Sequence, residues 1–236
     1  IPSSIKTMGE NVFANCYHLK TVTFAQDINL TAIPYGTFSN CGELESINIP
    51  ASITEIKNEA FAFCGSIKNV YVSSVLNWCK ISVGANNGSS PLSGVSDVNL
   101  YVGGELLTDL VIPSTITSIN ENAFSNCDKI VSVQIPSSVV RIDESAFSNC
   151  TGIGEIEIPS SVKSIGYGAF SGCSNLTRVT MPDALEEIGG YVFSSCSKLK
   201  SIVIPNTVTS LGRNVLYGCN EIEEIEIPLV DDVQSL

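Results

Sequence analysis

The 236-residue chain has very few of the residues on which catalytic and nucleic-acid-binding sites depend: one histidine, one tryptophan, and 12 lysines and arginines in all. Acidic residues number 24, so the net charge is −12 at pH 7. Twelve dispersed basic residues do not form the positive stripe that a phosphate backbone requires, which argues against nucleic acid and against an anionic membrane surface as partners. No apolar run approaches the roughly 20 residues that a membrane-spanning helix needs.

Motifs of the common catalytic and metal sites are also missing. The sequence contains no G-x-S-x-G and no C-x-x-C, and the lone His18 has no identifiable partners for a catalytic triad. Glu155 and Glu157 lie two residues apart on one predicted strand, so both side chains point to the same face. Two carboxylates so placed could act as a glycosidase pair or bind calcium, but a solvent-exposed strand face explains them more simply. We therefore expect no catalytic residue, no metal site and no cofactor.

One repeated pattern fills the chain instead. Nine segments have the general form L-x-x-V-x-I-P, and they start at Leu19, Leu44, Ile67, Leu107, Ile130, Ile153, Leu176, Leu199 and Ile222. The copies from Leu107 onward are evenly spaced, and the widest gap lies just before them. The V-x-I part alternates with period two, which predicts a strand, and the proline that follows most copies ends that strand. The adjoining A-F-x-x-C-x-x-L has spacings of three, which predict a short helical turn.

The length of the repeat predicts the architecture. A period of about 23 residues is too short for two helices and fits one strand and one tight turn per coil. Stacked coils bury a continuous core and pair their strands in parallel about 4.8 Å apart. We expect a single solenoid over residues 1–236 with nine strand rungs, truncated at both ends, because both ends leave apolar rungs uncovered.

One rung, which contains residues 73–106, is longer than its neighbours by most of a repeat. Val75, Trp78 and Ile81 have the spacing to replace the usual edge of a rung, and Gly103-Gly104 predicts a β-hairpin near residues 99–107. Residues 84–96, rich in glycine, serine and asparagine, predict a surface loop. Trp78 either fills the larger core of this rung or contacts a partner, and both readings stay open.

Eight of the nine cysteines occupy one position of the repeat, three residues after a column of phenylalanines that ends in Leu216. A metal ladder, a disulfide ladder and a packing role all fit such a column. A column forms a line and not a tetrahedral cluster, and its side chains point the same way, which disfavours metal binding and disulfides. We expect eight free thiols that pack as small apolar residues beside an aromatic spine; Cys79, in the insert, lies outside this expectation.

The string IPSSVKSIGYGAFSGCSNLTRVTMP resembles the BspA-like class of leucine-rich repeats, and the resemblance extends over essentially the whole chain. Valine, as at Val139, Val162 and Val208, takes the usual asparagine-ladder site. The resemblance implies a right-handed solenoid with a parallel β-sheet on its concave face and short helical turns or loops on its convex side. It also implies a secreted or cell-surface location, since characterised members are adhesins for host matrix proteins or other cells.

The outward strand positions form the candidate partner-binding surface. We assign to it Asn69, Tyr71, Asp109, Gln134, Glu155, Glu157, Arg178, Thr180, Glu224 and Glu226, and we add Trp78 of the insert. The expected function is non-enzymatic adhesion or protein interaction through the concave face, with a host-matrix protein, a cell-surface protein or a glycan as partner. Two alternatives stay open: an architectural spacer that presents another domain, and a carbohydrate-binding accessory that uses the insert.

Overall fold

The computed structural model describes residues 1–83 and 97–227, which form a β-solenoid with parallel strands and almost no helix. The first ladder holds the V-x-I strands: β1 (Thr21–Val22), β3 (Ser46–Ile49), β5 (Asn69–Val72), β7 (Asn99–Val102), β9 (Asp109–Val111), β11 (Ser132–Gln134), β13 (Glu155–Glu157), β15 (Arg178–Thr180), β17 (Ser201–Val203) and β19 (Glu224–Glu226). Strands pair in parallel within the groups β1-β3-β5-β7, β9-β11, β13-β15 and β17-β19, as where Glu155 lies opposite Arg178. The predicted parallel solenoid is confirmed.

A second ladder of two-residue strands runs alongside the first. It consists of β2 (Ala32–Ile33), β4 (Glu55–Ile56), β6 (Ser82–Val83), β10 (Ser118–Ile119), β12 (Arg141–Ile142), β14 (Ser164–Ile165), β16 (Glu187–Ile188) and β18 (Ser210–Leu211). These strands are also parallel, in the orders β2-β4-β6 and β10-β12-β14-β16-β18. In most coils a V-x-x-I segment follows the proline, and its last residue lies in the second-ladder strand, as Ile142 does in β12. A regular coil therefore contributes one strand to each ladder.

The core lies between the two ladders and is filled by columns of equivalent side chains. Ile156 and Ile158 are buried while Glu155 and Glu157 are exposed, which confirms the inward and outward alternation predicted for the V-x-I strands. The phenylalanines form a stacked aromatic spine with ring centroids 5.3–5.7 Å apart, in the two runs Phe13-Phe38-Phe61 and Phe124-Phe147-Phe170-Phe193. Burial of this apolar surface is the main driving force for stacking the coils.

The segment from phenylalanine to cysteine forms turns and not the helical turns that the spacing of three predicts. Alternate N–H groups donate to the next coil, from Phe38 to the Ala60 carbonyl and from Asn40 to the Ala62 carbonyl, both at 2.8 Å. Those donors are therefore unavailable for bonds within a helix. Asn40 also has a φ of 60°, in the left-handed region that interrupts a right-handed helix.

The long rung contributes a strand of its own to the first ladder. All four residues of β7 pair in parallel with β5, so Asn99–Val102 takes the next ladder position. The helix α1 (Val75–Cys79) begins after Ser74, whose hydroxyl accepts the Asn77 N–H at 3.1 Å. The strand β8 (Glu105–Leu106) pairs antiparallel with β7 across the positive-φ residues Gly103 and Gly104. The loop predicted at 84–96 lies outside the described residues.

Candidate functional site

The outward side chains of the first ladder lie in rows across the strands, and we call this surface the ladder face. Of the residues assigned to it from the sequence, Asn69 is half-buried; the exposed ones are Tyr71, Asp109, Gln134, Glu155, Glu157, Arg178, Thr180, Glu224 and Glu226. The register places Glu157 opposite Thr180, as it places Glu155 opposite Arg178. Neighbouring strands are about 4.8 Å apart, so several residues of one row can contact one partner together.

The half of the ladder face from β9 to β19 carries its charges. The charged outward residues here are Asp109, Glu155, Glu157, Arg178, Glu224 and Glu226. Asp109 accepts hydrogen bonds from the Ser132 hydroxyl at 2.5 Å and the Thr108 hydroxyl at 2.9 Å, which lower the pKa of its carboxyl group. Hydrogen bonds to a carboxylate favour its ionised form, so Asp109 keeps its charge at neutral pH.

The half from β1 to β7 is uncharged and carries an aromatic pair. Its outward residues are Thr21, Ser46, Asn48, Asn69, Tyr71, Asn99 and Tyr101. The rings of Tyr71 and Tyr101 stack with centroids 4.7 Å apart and an interplanar angle of 22°. In the next row the Asn99 amide donates to Asn69 Oδ1 at 3.0 Å.

Asn99 and Tyr101 were not among the residues assigned to this surface from the sequence. The signal that marks them is the near-repetition of Asn69-Val70-Tyr71-Val72 as Asn-Leu-Tyr-Val at 99–102. The hairpin pattern alone does not reveal that the second copy lies beside the first, because that position depends on how the chain returns from residue 83 to residue 99.

Trp78 does not belong to the ladder face, and its assignment to the partner-binding surface is wrong. Its side chain is only 5% exposed, and the indole N–H donates to the Ala123 carbonyl at 2.7 Å. In regular coils the equivalent alanine carbonyl accepts a backbone N–H, as Ala169 does from Phe147 at 2.8 Å. In the coil that contains α1, the indole N–H therefore takes the place of a backbone donor, and the ring fills the core.

The cysteine column has a hydrogen-bonding role that the packing interpretation missed. Six sulfurs lie 2.9–3.3 Å from the phenylalanine carbonyl oxygen 26 or 28 residues earlier, in the preceding coil; the pairs are Cys41–Phe13, Cys64–Phe38, Cys150–Phe124, Cys173–Phe147, Cys196–Phe170 and Cys219–Phe193. A thiol is a weak donor, and each of these carbonyls also accepts the backbone N–H of the cysteine three residues later in its own coil, so the thiol is a second donor that comes from the next coil. Each S–H therefore links two coils.

The other three cysteines depart from this thiol column. Cys127 comes after the insert, and among the described residues its sulfur lies nearest to the Ser125 carbonyl oxygen, at 3.9 Å. Cys16 is exposed and Cys79 is buried. Burial raises the pKa of the Cys64 thiol to about 11 and those of Cys79, Cys127 and Cys173 to about 12. Such thiols stay protonated and are poor nucleophiles.

A family model described as "BspA type leucine rich repeat region" matches this chain over residues 1–93 and 99–230, in six copies. The chain belongs to the BspA-type leucine-rich repeat family. The resemblance seen in the sequence is thereby confirmed, and it places the chain in a family of repeat-protein scaffolds. No functionally curated protein matches the sequence.

Two solved structures share the BspA-type fold of this chain. A leucine-rich repeat protein from Bacteroides ovatus is 25% identical, with a TM-score of 0.67 over 94% of this chain and 55% of that chain. The pneumococcal vaccine antigen PcpA is 21% identical, with a TM-score of 0.61 over 96% of this chain and 60% of that chain, and this likeness concerns the fold alone. The chain spans little more than half the length of either protein.

The turns that follow the strands of the second ladder form another side of the BspA-type solenoid, which we call the turn side. It carries a second aromatic cluster that the sequence did not indicate. Tyr167 and Tyr191 lie 5.3 Å apart between ring centroids, and Tyr217 meets Tyr191 edge-on at 6.5 Å. The Arg213 guanidinium lies 5.6 Å from the centre of the Tyr191 ring. These tyrosines occupy three different positions of the repeat, so no column in the sequence points to them.

Within residues 1–83 and 97–227, the structure groups no three histidine, cysteine, aspartate or glutamate side chains in a way that suits a metal ion. Over the same residues, α1 has five residues, and no helix has the length and apolar character needed to cross a membrane. The ladder face of the BspA-type chain is formed by the outward residues of the ten strands of the first ladder.

Proposed function

We propose that this chain is a non-enzymatic module of a secreted or cell-surface protein that binds a protein partner through the ladder face, as the concave side of the solenoid. The observation that carries the proposal is that buried and exposed side chains alternate along the strands of the first ladder. Ile156 is buried in the core, whereas its neighbours Glu155 and Glu157 are exposed, so packing does not determine the outward residues. Leucine-rich repeat proteins characteristically mediate protein interactions, and extended solenoid faces are the surfaces they use.

The charges of the ladder face indicate the chemistry of the partner. Of its six charged outward residues five are acidic, and the single Arg178 lies beside Glu155. A host-matrix or cell-surface protein with a basic patch is therefore the partner we propose. Exposed charges of this kind steer association and suppress wrong partners more than they add affinity. Binding should accordingly weaken as the salt concentration rises.

The test is binding of the purified 236-residue chain to a panel of immobilised host matrix proteins, measured by surface plasmon resonance. We expect the double variant Glu155→Lys and Glu157→Lys to slow association by about tenfold or more, because close charges of the wrong sign repel a basic partner. The matched control is Glu144→Lys with Glu187→Lys, which makes the same charge change at exposed residues of the second ladder and the turn that follows it. This control should bind within about twofold of the unmodified chain.

Equal losses in the two double variants would show that net charge and not the ladder face governs binding. Absence of binding to every protein in the panel would favour the architectural spacer, which presents another domain and has no partner of its own.

A further inference from the structure

The uncharged half of the ladder face has a composition unlike that of the charged half. Tyr71 and Tyr101 form one row with Asn48, and Asn69 and Asn99 form the adjacent row with Ser46. These side chains supply two phenol rings with their hydroxyls, three amides and one serine hydroxyl, with no formal charge. From this juxtaposition we propose that the Tyr71–Tyr101 pair and its neighbouring amides form a binding site for a neutral oligosaccharide.

The rings offer the surface that one face of a sugar requires. Tyr71 is 36% exposed, and Tyr101 covers one side of its ring at a centroid distance of 4.7 Å. The residue opposite its other side is Asn48, whose side chain is too short to cover a phenol. The outer part of that ring face is therefore open, and its negative π-face attracts the slightly positive C–H groups of a pyranose.

The amides offer the polar groups that sugar hydroxyls require. Asn69 and Asn99 share one hydrogen bond, from Asn99 Nδ2 to Asn69 Oδ1. Within the described ranges, the Asn69 NH₂ group and the Asn99 carbonyl oxygen have no further partner in the structure. One is a donor and the other an acceptor, and a hydroxyl group can satisfy both. Their mutual bond holds the two amides in place, which lowers the entropy cost of binding.

Charge favours a neutral oligosaccharide over a protein or a charged glycan at this place. The outward positions of β1, β3, β5 and β7 include no lysine, arginine, aspartate or glutamate, whereas tight protein interfaces centre on tryptophan, tyrosine and arginine anchors in desolvated pockets. Here the aromatic pair stands among hydroxyls and amides on an open surface. Such a site suits a flat, polar, uncharged ligand that is held weakly and can be engaged repeatedly along a polymer.

The site is separate from the one on which the proposed function rests. The variants that test the charged half, Glu155→Lys and Glu157→Lys, leave the Tyr71–Tyr101 pair untouched. Loss of matrix binding in those variants and loss of sugar binding in tyrosine variants are therefore independent outcomes, and either proposal can fail alone.

The experiment titrates the 236-residue chain with cellotetraose, laminaritetraose, mannotetraose and lacto-N-tetraose by saturation-transfer NMR and calorimetry. We expect at least one of these neutral sugars to receive saturation from tyrosine ring protons. Tyr71→Ala should weaken that sugar's binding by about tenfold or more, and Asn69→Ala by about threefold or more. Tyr71→Phe keeps the ring and should bind within about threefold of the unmodified chain.

The matched control is Tyr167→Ala, since Tyr167 is also exposed and packed against another tyrosine, but on the turn side. It should leave sugar binding unchanged, and circular dichroism of each variant checks the fold. Absence of binding by all four sugars at millimolar concentration, or equal binding by the Tyr71→Ala variant, would overturn the proposal. So would a matrix protein, or a charged heparin tetrasaccharide, that binds through Tyr71 where the neutral sugars do not.

Discussion

At the scale of single residues, the cysteine column shows how a side chain that looks reactive is made inert. The sulfur of Cys150 lies 2.9 Å from the Phe124 carbonyl oxygen and is fully enclosed. Burial raises the pKa of the Cys150 thiol well above its usual range, because ionisation would place a charge in the core. Ionisation would also remove the proton that the bond to Phe124 needs. The contact follows from the spacing of the repeat in regular coils, because Phe124 lies one repeat plus three residues before Cys150.

Thiol labelling tests this account. In native protein at pH 8, Ellman's reagent should react quickly with Cys16, which is exposed, and slowly with the other eight thiols, which are buried. After unfolding in guanidinium chloride without reductant, all nine should react. A Cys16→Ser variant should lose the fast phase. Fewer than nine thiols in the unfolded chain would reveal disulfides and refute the free-thiol column.

A pair of substitutions tests the inside and outside of a coil. Phe147 is fully buried and stacks between Phe124 and Phe170, at 5.5 and 5.3 Å. Phe147→Ala should lower the free energy of unfolding by about 3–5 kcal/mol because it leaves a cavity. Glu157→Ala, at an exposed strand position, should change it by about 0.5 kcal/mol or less. Urea unfolding gives both values, and similar values for the two variants would contradict the assignment of the faces.

At the scale of elements, the insert shows where inference from the sequence stops. The V-x-I strands could be predicted because alternation is a local property of a few residues. The position of β7 beside β5 could not, since it depends on how the chain returns to place Asn99 beside Asn69. The same holds for Trp78, whose hydrogen-bond partner lies 45 residues later. Its spacing from Val75 and Ile81 indicates an edge of the coil but not the carbonyl that it meets.

Trp78→Phe tests the role of the indole in the core. It removes the N–H that the buried Ala123 carbonyl accepts and leaves a small cavity where the five-membered ring was, so the free energy of unfolding should fall by about 1–3 kcal/mol. Because Trp78 is the only tryptophan, its fluorescence reports the site directly. In the unmodified chain the emission should be blue-shifted and resist acrylamide quenching. Emission typical of exposed tryptophan would contradict the buried position.

At the scale of the whole molecule, the insert changes both ladders and the spine at one level of the array. Among the described residues, β7 has β8 and not β9 as its second neighbour, and β6 has no partner beyond β4. The stacked rings also fall into two runs, which end at Phe61 and begin again at Phe124. Repeat arrays gain stability from contacts between neighbouring coils, so an irregular junction weakens their coupling.

Hydrogen exchange of matched variants tests that weak coupling. Phe170→Ala should speed exchange of the amides in β13, β15 and β17 while those in β3 and β5 stay protected, because opening stops at the insert. Phe38→Ala, at an equally buried position in the other run, should give the reverse pattern. Uniformly faster exchange in either variant would mean that the array opens as one unit.

The spacing of the coils also has a mechanical consequence. Equivalent positions such as Asn126 and Asn149 are 23 residues apart along the chain, yet stacked strands are separated by only about 4.8 Å. One such coil drawn straight spans roughly 75–80 Å. If shear pulls on both termini, each coil that peels away lengthens the tether by more than ten times the height it had in the stack. Such an array would yield coil by coil under load and so limit the peak force on whatever it holds.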